Sequence, residues 1–192
     1  MNIPNTLTLF RIILVPVVII LLIQGFFAAA LVVFALAGIT DGLDGFLARH
    51  LDQRTELGSY LDPLADKALL ISSFVVLALL GVLPGWLTVI VISRDCIIFF
   101  GIVILFLMAV PFDMKPTLVS KVTTFLQIAT VLAALVLLSM PDITAPLLTS
   151  VLFWVTAAFT GVSGLHYIGL AIGYINRKGL SPPQSRLDKP HR

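Results

Sequence analysis

The stretch that organises this chain runs from Asp41 to Asp66 and reads DGLDGFLARHLDQRTELGSYLDPLAD. It carries two pairs of aspartates: Asp41 and Asp44 are three residues apart, and Asp62 and Asp66 are four apart. In a helix, residues at either spacing lie on one face. Because ionised carboxylates are costly to remove from water, we expect a cation between the two pairs.

The composition around this stretch is that of a membrane protein. Of the 192 residues, 59% are hydrophobic and only 11% are charged, against about 25% charged in soluble domains. This length indicates a single domain. The net charge of +2 gives no reason to expect a nucleic-acid partner, and Cys96 is the one cysteine, so no intramolecular disulfide can form.

The hydropathy pattern predicts an all-α integral membrane protein with six transmembrane helices preceded by a short interfacial helix. Each apolar segment supplies roughly the 20 residues that a span needs, and the segments lie at 12–24, 28–48, 61–81, 86–110, 121–140 and 147–175. Residues 3–11 mix apolar and hydroxyl side chains, which is typical of an interfacial helix. The alternative is that they form the polar end of the first span. We assign 1–176 to the membrane domain and 177–192 to a polar cytoplasmic tail.

The distribution of Lys and Arg predicts the orientation. Three connections contain none, namely 24–27, 81–85 and 140–146. The 49–60 and 111–121 connections and the tail all carry basic residues. Because cytoplasmic loops are enriched in Lys and Arg, this alternation places both termini and the aspartate stretch on the cytoplasmic side.

The residues of the stretch favour a metal and phosphate site. Aspartate oxygens are hard ligands that suit Mg²⁺ or Mn²⁺, and four of them can hold two ions, an arrangement that clamps a transferring phosphoryl group. The planar fork of Arg49 suits phosphate. Gly42, Gly45 and Gly58 would let a bulky ligand approach the backbone, although close helix packing is an alternative role for glycine in a membrane.

The pattern Asp-x2-Asp-Gly-x2-Ala-Arg-x8-Gly-x3-Asp-x3-Asp resembles the signature of the CDP-alcohol phosphotransferases. Every defined position is matched, by Asp41, Asp44, Gly45, Ala48, Arg49, Gly58, Asp62 and Asp66. The opening Pro-Asn-Thr-Leu-Thr-Leu-Phe-Arg is also similar to the family. The resemblance implies an integral enzyme of the cytoplasmic or inner membrane, commonly a homodimer, which transfers a phosphatidyl group from CDP-diacylglycerol to an alcohol and releases CMP.

The resemblance also implies roles for the motif residues. The four aspartates Asp41, Asp44, Asp62 and Asp66 would bind two divalent cations. The nucleotide would be bound by Asp44, Gly45, Ala48, Arg49 and Gly58. Asp66 would be the catalytic general base that accepts the proton of the acceptor hydroxyl.

If the acceptor carries a phosphate, we expect basic residues to bind it. Arg94 lies inside a span, where an arginine is a functional candidate by default, although an ion pair that stabilises the bundle is the alternative. Lys115 and Lys121 flank the start of the fifth span, and Lys121, Thr124 and Gln127 share one helix face by their three-residue spacing. We therefore expect acceptor contacts from Arg94, Lys115, Lys121 and Thr124.

The segment around Lys121 resembles phosphatidylglycerophosphate synthases, but it lacks the Gly and second Lys of their Gly-Lys-x-Lys-Thr-x2-Gln pattern. Its Lys-Pro-Thr-x2-Ser-Lys-x2-Thr-x2-Gln is at least as similar to CMP-forming cardiolipin synthases. Both acceptors present a glycerol hydroxyl beside a phosphate. We expect glycerol 3-phosphate, with phosphatidylglycerol as the alternative.

Two other functions must be separated from this one. Membrane prenyltransferases also bind Mg²⁺-diphosphate through paired aspartates, but they are usually longer and do not require the Gly-x2-Ala-Arg spacing. A cation carrier would place its carboxylates near the bilayer midplane, whereas these are expected near helix ends. Binding of CMP would separate an enzyme from a carrier.

Overall fold

The computed structural model describes residues 3–51, 56–108, 117–140, 142 and 145–180, with side chains described over 9–40, 64–105, 107–108, 117–140, 142 and 145–174. Six helices account for nearly all of these residues: α1 (Ile3–Ile23), α2 (Phe27–Leu51), α3 (Glu56–Leu79), α4 (Gly85–Leu107), α5 (Leu118–Ser139) and α6 (Pro146–Leu180). No strand occurs within those ranges. The prediction of an all-α protein is confirmed.

Glycines end the first and third helices by the same mechanism. Gly25 and Gly81 have φ values of 78° and 73°, a left-handed conformation that glycine adopts without steric cost. After each glycine the next amide, that of Phe26 or Val82, donates to a carbonyl five residues back. This Schellman motif satisfies the last carbonyls of the helix and turns the chain sharply into the next element.

The helices pack as two groups joined through α3 and α5. The first helix contacts α2 and α3, and α6 contacts α4 and α5. The α5 helix also contacts α2 and α3, while α3 contacts α4. The shared core contains fully buried side chains from five helices, among them Leu22, Ala37, Phe74, Leu87 and Leu135.

The outer surface of the bundle is apolar, as expected where lipid is the solvent. Ile13, Phe99 and Trp154 are each more than 60% exposed. Within the part of the chain whose side chains are described, three helical segments are long and apolar enough to cross a membrane: Gly85–Leu105, Leu118–Ser139 and Pro146–Tyr174. The described apolar parts of the first two helices, Leu9–Ile23 and Phe27–Thr40, are shorter. The composition, these helices and the surface together indicate a membrane protein.

The predicted interfacial helix is not a separate element. Residues 3–11 continue without a break into the first apolar segment as α1, which also accommodates Pro16. Arg11 attaches this segment to the bundle, because its side chain is only 1% exposed and its Nη1 donates to Asp66 of α3. Residues 3–11 are therefore the beginning of α1 and not a helix of their own.

The helices that carry the aspartate motif extend further than the apolar pattern predicts. The connection expected over 49–60 is helical through Leu51 and again from Glu56. Asp41 lies ten residues before the end of α2 and Asp66 ten residues after the start of α3, about 15 Å from those ends at 1.5 Å per residue. These distances are measured from the helix ends, whereas the prediction concerns the ends of the membrane spans, so the expected position of the carboxylates near the span ends stays a prediction.

Candidate active site

Asp66 is held by an arginine from the N-terminal helix. The Nη1 of Arg11 donates to Oδ1 of Asp66 at 2.7 Å. The arginine is 1% exposed, whereas the aspartate side chain is 41% exposed. The ion pair therefore joins α1 to α3 and fixes one oxygen of Asp66, while much of the carboxyl group remains accessible.

The other motif residues are placed by their helices alone. Asp41, Asp44, Gly45, Ala48 and Arg49 follow one another in the last three turns of α2. Gly58 and Asp62 lie in the first two turns of α3. The side chains of these seven residues fall outside the described set, and so does the whole of Lys115. Their predicted ligand contacts remain predictions.

An ionic cluster formed by Lys67, Arg94 and Asp95 lies next to Asp66. The Nζ of Lys67 donates to both carboxylate oxygens of Asp95 at 2.7 Å. The Nη1 of Arg94 donates to Oδ1 of the same carboxylate, also at 2.7 Å. One carboxylate on α4 therefore pairs with both a lysine from α3 and an arginine from its own helix, and the bond to the lysine ties α3 to α4.

Arg94 extends this cluster to the last two helices. Its Nη2 donates to the hydroxyls of Ser120 at 2.6 Å and Ser163 at 3.1 Å. Its Cζ lies 5.9 Å from the centre of the Tyr167 ring, within the range of a cation–π contact. Gly164 leaves room for the aliphatic stem, since a Cβ there would lie 3.6 Å from Cγ of Arg94. These contacts link α4 to α5 and α6, and the acceptor contact predicted for Arg94 stays a prediction.

A cavity of about 130 Å³ opens beside Asp66 and Lys67. Thr124 of α5 completes its polar lining. The remaining lining is apolar or small and comes from α2, α3 and α5, namely Phe34, Ala37, Gly38, Leu69, Leu70 and Ile128. A lining that combines polar and apolar side chains suits a ligand with a charged group and a lipid-like or hydrocarbon part.

Lys121, Thr124 and Gln127, which the spacing predicts on one helix face, have three different surroundings in the structure. Lys121 is exposed and Thr124 lines the cavity, whereas Gln127 is fully buried and donates from Nε2 to Thr160 of α6 at 3.3 Å. Three-residue steps drift around a helix by about 60° each, and the neighbouring helices separate side chains that the spacing groups together. Thr124 is the member that shares the cavity with Asp66.

The interface between α5 and α6 is hydrogen-bonded along its length. The Thr123 hydroxyl donates to the carbonyl of Phe159 at 3.1 Å. The hydroxyls of Thr130 and Thr156 lie 2.8 Å apart. Side-chain hydrogen bonds of this kind join helices in a membrane, where apolar packing gives little net attraction. This interface therefore fixes α6, and with it the hydroxyl of Ser163, against the ionic cluster.

Two residues at this site were missed in the sequence, Arg11 and Lys67. Both offered a signal, since a basic residue within a helix of apolar character is a functional candidate by default. Lys67 also follows the last motif aspartate directly. Their partners, Asp66 and Asp95, are 55 and 28 residues away, so no local pattern could indicate the pairs.

The chemistry of the motif fits divalent cations. Asp66 offers a partly exposed carboxylate, and Asp62 precedes it by one helical turn on the same face. Anionic oxygens are the donors that Mg²⁺ and Mn²⁺ prefer. Among the side chains that the structure describes, no group of three His, Cys, Asp or Glu residues forms a metal site, and the other three motif aspartates lie outside that part.

The fold and site define a helical membrane protein with an aspartate motif on its second and third helices. A family model described as CDP-alcohol phosphatidyltransferase matches residues 1–162. The chain belongs to this family, and the resemblance drawn from the motif is confirmed.

Several curated relatives are similar to the chain. A human cardiolipin synthase (CMP-forming) is 41% identical over 150 residues, which cover 70% of this chain and 50% of the relative. A probable phosphatidylglycerophosphate synthase of Mycobacterium tuberculosis is 36% identical over 180 residues, covering 89% and 82%. A CDP-diacylglycerol–glycerol-3-phosphate 3-phosphatidyltransferase of Bacillus subtilis is 31% identical over 184 residues, covering 86% and 93%.

The coverage differs between the two kinds of relative. The chain spans about half the length of the human and rat cardiolipin synthases. It spans most of the length of the two bacterial relatives named above.

Proposed function

We propose that the protein transfers the phosphatidyl group of CDP-diacylglycerol to glycerol 3-phosphate, forming phosphatidylglycerophosphate and releasing CMP. The observation that carries this proposal is the family match over 1–162, which includes the complete aspartate motif. The two bacterial relatives with this named activity match over most of both chains. The arrangement around Asp66 supports the same reaction.

The motif residues would bind the metal ions and the nucleotide. Two divalent cations held by Asp41, Asp44, Asp62 and Asp66 would neutralise the pyrophosphate and the departing CMP. The guanidinium of Arg49 would bind a phosphate of the nucleotide in bidentate fashion. Asp44, Gly45, Ala48 and Gly58 would form the nucleotide surface, where the small residues let the ligand approach the backbone.

Asp66 would act on the acceptor. As the acceptor hydroxyl attacks the β-phosphorus of CDP-diacylglycerol, Asp66 would take its proton. The bond from Arg11 to Oδ1 holds this carboxylate in one orientation, as a base that must meet a hydroxyl requires. The acceptor phosphate would be recognised by Arg94, Lys115, Lys121 and Thr124, of which Thr124 lines the same cavity as Asp66.

The cavity explains how a lipid donor reaches a polar site. Its polar lining is Asp66, Lys67 and Thr124. Its apolar lining includes Leu70 and Ile128, about one turn further along α3 and α5, and Phe34 of α2. A headgroup at the polar lining would leave an acyl chain against apolar residues, where burial of hydrocarbon is favourable.

The proposal includes a topology and an assembly. All six helices would cross the membrane, with both termini, the active site and the 177–192 tail on the cytoplasmic side, because the basic connections alternate with uncharged ones. The protein would act as a homodimer in the cytoplasmic or inner membrane.

A second candidate is a CMP-forming cardiolipin synthase that uses phosphatidylglycerol as acceptor. It is favoured by the relatives of that name from human and rat, which are 41% and 39% identical. Both acceptors carry a glycerol hydroxyl and a phosphate, so the residues at the cavity suit either. The chain covers most of the length of the two bacterial relatives but only about half of the human one, which favours glycerol 3-phosphate as the acceptor.

The test is incubation of the purified protein with CDP-diacylglycerol, Mg²⁺ and either acceptor, followed by identification of the lipid formed. We expect phosphatidylglycerophosphate with glycerol 3-phosphate. Cardiolipin from the phosphatidylglycerol reaction would establish the second candidate, and no new lipid in either reaction would refute the transferase function.

An Asp66→Asn variant should form no product, because the amide of asparagine cannot take up a proton as the carboxylate does. An active variant would refute the role of Asp66 as base.

A cation carrier remains distinguishable by nucleotide binding. The depth of Asp41 and Asp66, about 15 Å inside their helix ends by the helical rise, does not separate carrier from enzyme. A carrier has no need of a nucleotide site, whereas the proposed enzyme must bind CMP together with a divalent cation.

A further inference from the structure

The cluster of Lys67, Arg94 and Asp95 carries more positive than negative charge. Two cations share one carboxylate, since Lys67 and Arg94 both donate to Asp95. The Asp95 side chain is 9% exposed and that of Arg94 is 4% exposed. Because the two cations share one carboxylate, the cluster keeps one excess positive charge, which attracts an anion.

The two cations differ in their ability to reach a ligand. Arg94 is buried, and most of its N–H groups already donate hydrogen bonds to Asp95, Ser120 and Ser163. The Lys67 side chain is 36% exposed and lines the cavity. An ammonium group has three N–H donors, and within the described part of the chain those of Lys67 bond only to Asp95. Lys67 is therefore the cation that can meet an anion in the cavity.

Asp66 and Lys67 place two complementary groups at the same opening. Asp66 is the proposed base for an acceptor hydroxyl, and Lys67 is the next residue of α3. Both line the cavity with Thr124. Each candidate acceptor carries a glycerol hydroxyl and a phosphate in one small headgroup, so a single headgroup can meet both side chains.

We infer that Lys67 binds the phosphate of the acceptor and that Asp95 is the positioning residue that holds Lys67 at the cavity. This inference rests on the proposed transferase function. The chemistry recognised is a glycerol-linked phosphate, either the monoester of glycerol 3-phosphate or the diester of phosphatidylglycerol. Asp95 accepts both bonds from Lys67 across the α3–α4 interface, which limits the rotamers of a flexible side chain.

The test compares Michaelis constants for the two substrates in the purified full-length protein. We expect Lys67→Met to raise the acceptor KM about tenfold or more, the loss of one charge-assisted hydrogen bond, with the KM for CDP-diacylglycerol unchanged. Lys67→Arg should restore most of the affinity, because it keeps a donor cation. Lys189→Met removes the same charge from the tail, outside the family match, and should change neither constant.

Asp95 is tested through its dependence on Lys67. Asp95→Asn should raise the acceptor KM when Lys67 is present, and should raise it no further when combined with Lys67→Met, because residues that act through one contact are not additive. Additive effects of the two substitutions would overturn the positioning role. An unchanged acceptor KM in Lys67→Met, or an equal rise in the KM of both substrates while CMP binding is retained, would overturn the contact.

Two measurements keep this test separate from that of the transferase function. Absence of any product from the unmodified protein with either acceptor would refute the transferase function. Glycerol 3-phosphate and phosphatidylglycerol vesicles would then be tested as direct ligands by thermal stabilisation. Stabilisation by one of them that is lost in Lys67→Met would still support a phosphate contact, and stabilisation by neither would overturn it. If Lys67→Met does not fold, as judged by CMP binding, Asp95→Asn alone decides: a selective rise in acceptor KM supports the inference, and no rise overturns it.

Discussion

Arg11 determines how the carboxylate of Asp66 is presented. The arginine is almost fully buried in α1, and its bond to Oδ1 of Asp66 measures 2.7 Å. A base must approach its proton donor within hydrogen-bond distance and in a fixed orientation. Arg11 thereby links a residue in the N-terminal helix to the proposed chemistry.

Replacement of Arg11 by methionine should slow transfer by about tenfold or more, because Asp66 loses the donor that orients it. The free energy of unfolding should fall by about 1–3 kcal/mol, the cost of a lost hydrogen bond to a charged group. This is below the cost of breaking a fully buried pair, since Asp66 is 41% exposed. The rate is measured by CMP release and the free energy by denaturant titration in detergent.

Ile13→Met is the matched control on the same helix. Ile13 is 61% exposed, so its replacement should change stability by no more than about 0.5 kcal/mol. If Arg11→Met keeps the rate of the unmodified protein, the ion pair does not position Asp66.

At the scale of an element, the turn after α3 depends on one glycine. Gly81 has φ of 73°, and a Cβ at this position would meet no atom within 4 Å. The cost of adding a side chain is therefore conformational rather than steric. Gly81→Ala should lower the free energy of unfolding by about 1–2 kcal/mol.

Gly101 provides a control for which the same substitution should change the free energy of unfolding in the opposite direction. It lies inside α4 at an ordinary helical φ, and a Cβ there would also meet nothing within 4 Å. Gly101→Ala should stabilise the protein by about 0.5–1 kcal/mol, because alanine favours a helix over glycine. Equal effects of the two substitutions would contradict a specific role for the left-handed turn.

The elements show what periodicity and composition can predict. The fourth apolar segment was placed at 86–110, and its helix runs from Gly85 to Leu107. The polar ends of α2 and α3 were not predicted, because hydropathy marks the part of a helix that lies in lipid and not where the helix ends. Gln127 shows a second limit: its spacing groups it with Lys121, but its actual partner is Thr160.

The site was predictable as far as local pattern reaches. The motif from Asp41 to Asp66 identified the family, since its spacing is fixed within one continuous stretch. The bonds of Asp66 to Arg11 and of Asp95 to Lys67 join residues on different helices. Such pairs follow from which helices pack together, and that packing is a property of the folded bundle.

On the scale of the whole molecule, the alternation of basic and uncharged connections predicts the orientation in the membrane. In a Cys96→Ser background, single cysteines replace Gln24 and Asp142 on the expected outer side, and Arg54 and Ser185 on the cytoplasmic side. A membrane-impermeant maleimide should label the first two in intact cells and the other two only after permeabilisation. Labelling of Arg54→Cys in intact cells would contradict the topology.

The central claim is that the Asp41–Asp66 stretch forms a metal-dependent nucleotide site. The direct measurement is calorimetric titration of the purified protein with CMP, in Mg²⁺ and then in excess chelator, with Asp44→Asn alongside. We predict saturable binding in Mg²⁺ that is lost with chelator and in the variant, because carboxylate-held cations would carry the nucleotide phosphate. Absence of CMP binding to the unmodified protein in Mg²⁺, or equal binding by Asp44→Asn, would contradict the claim.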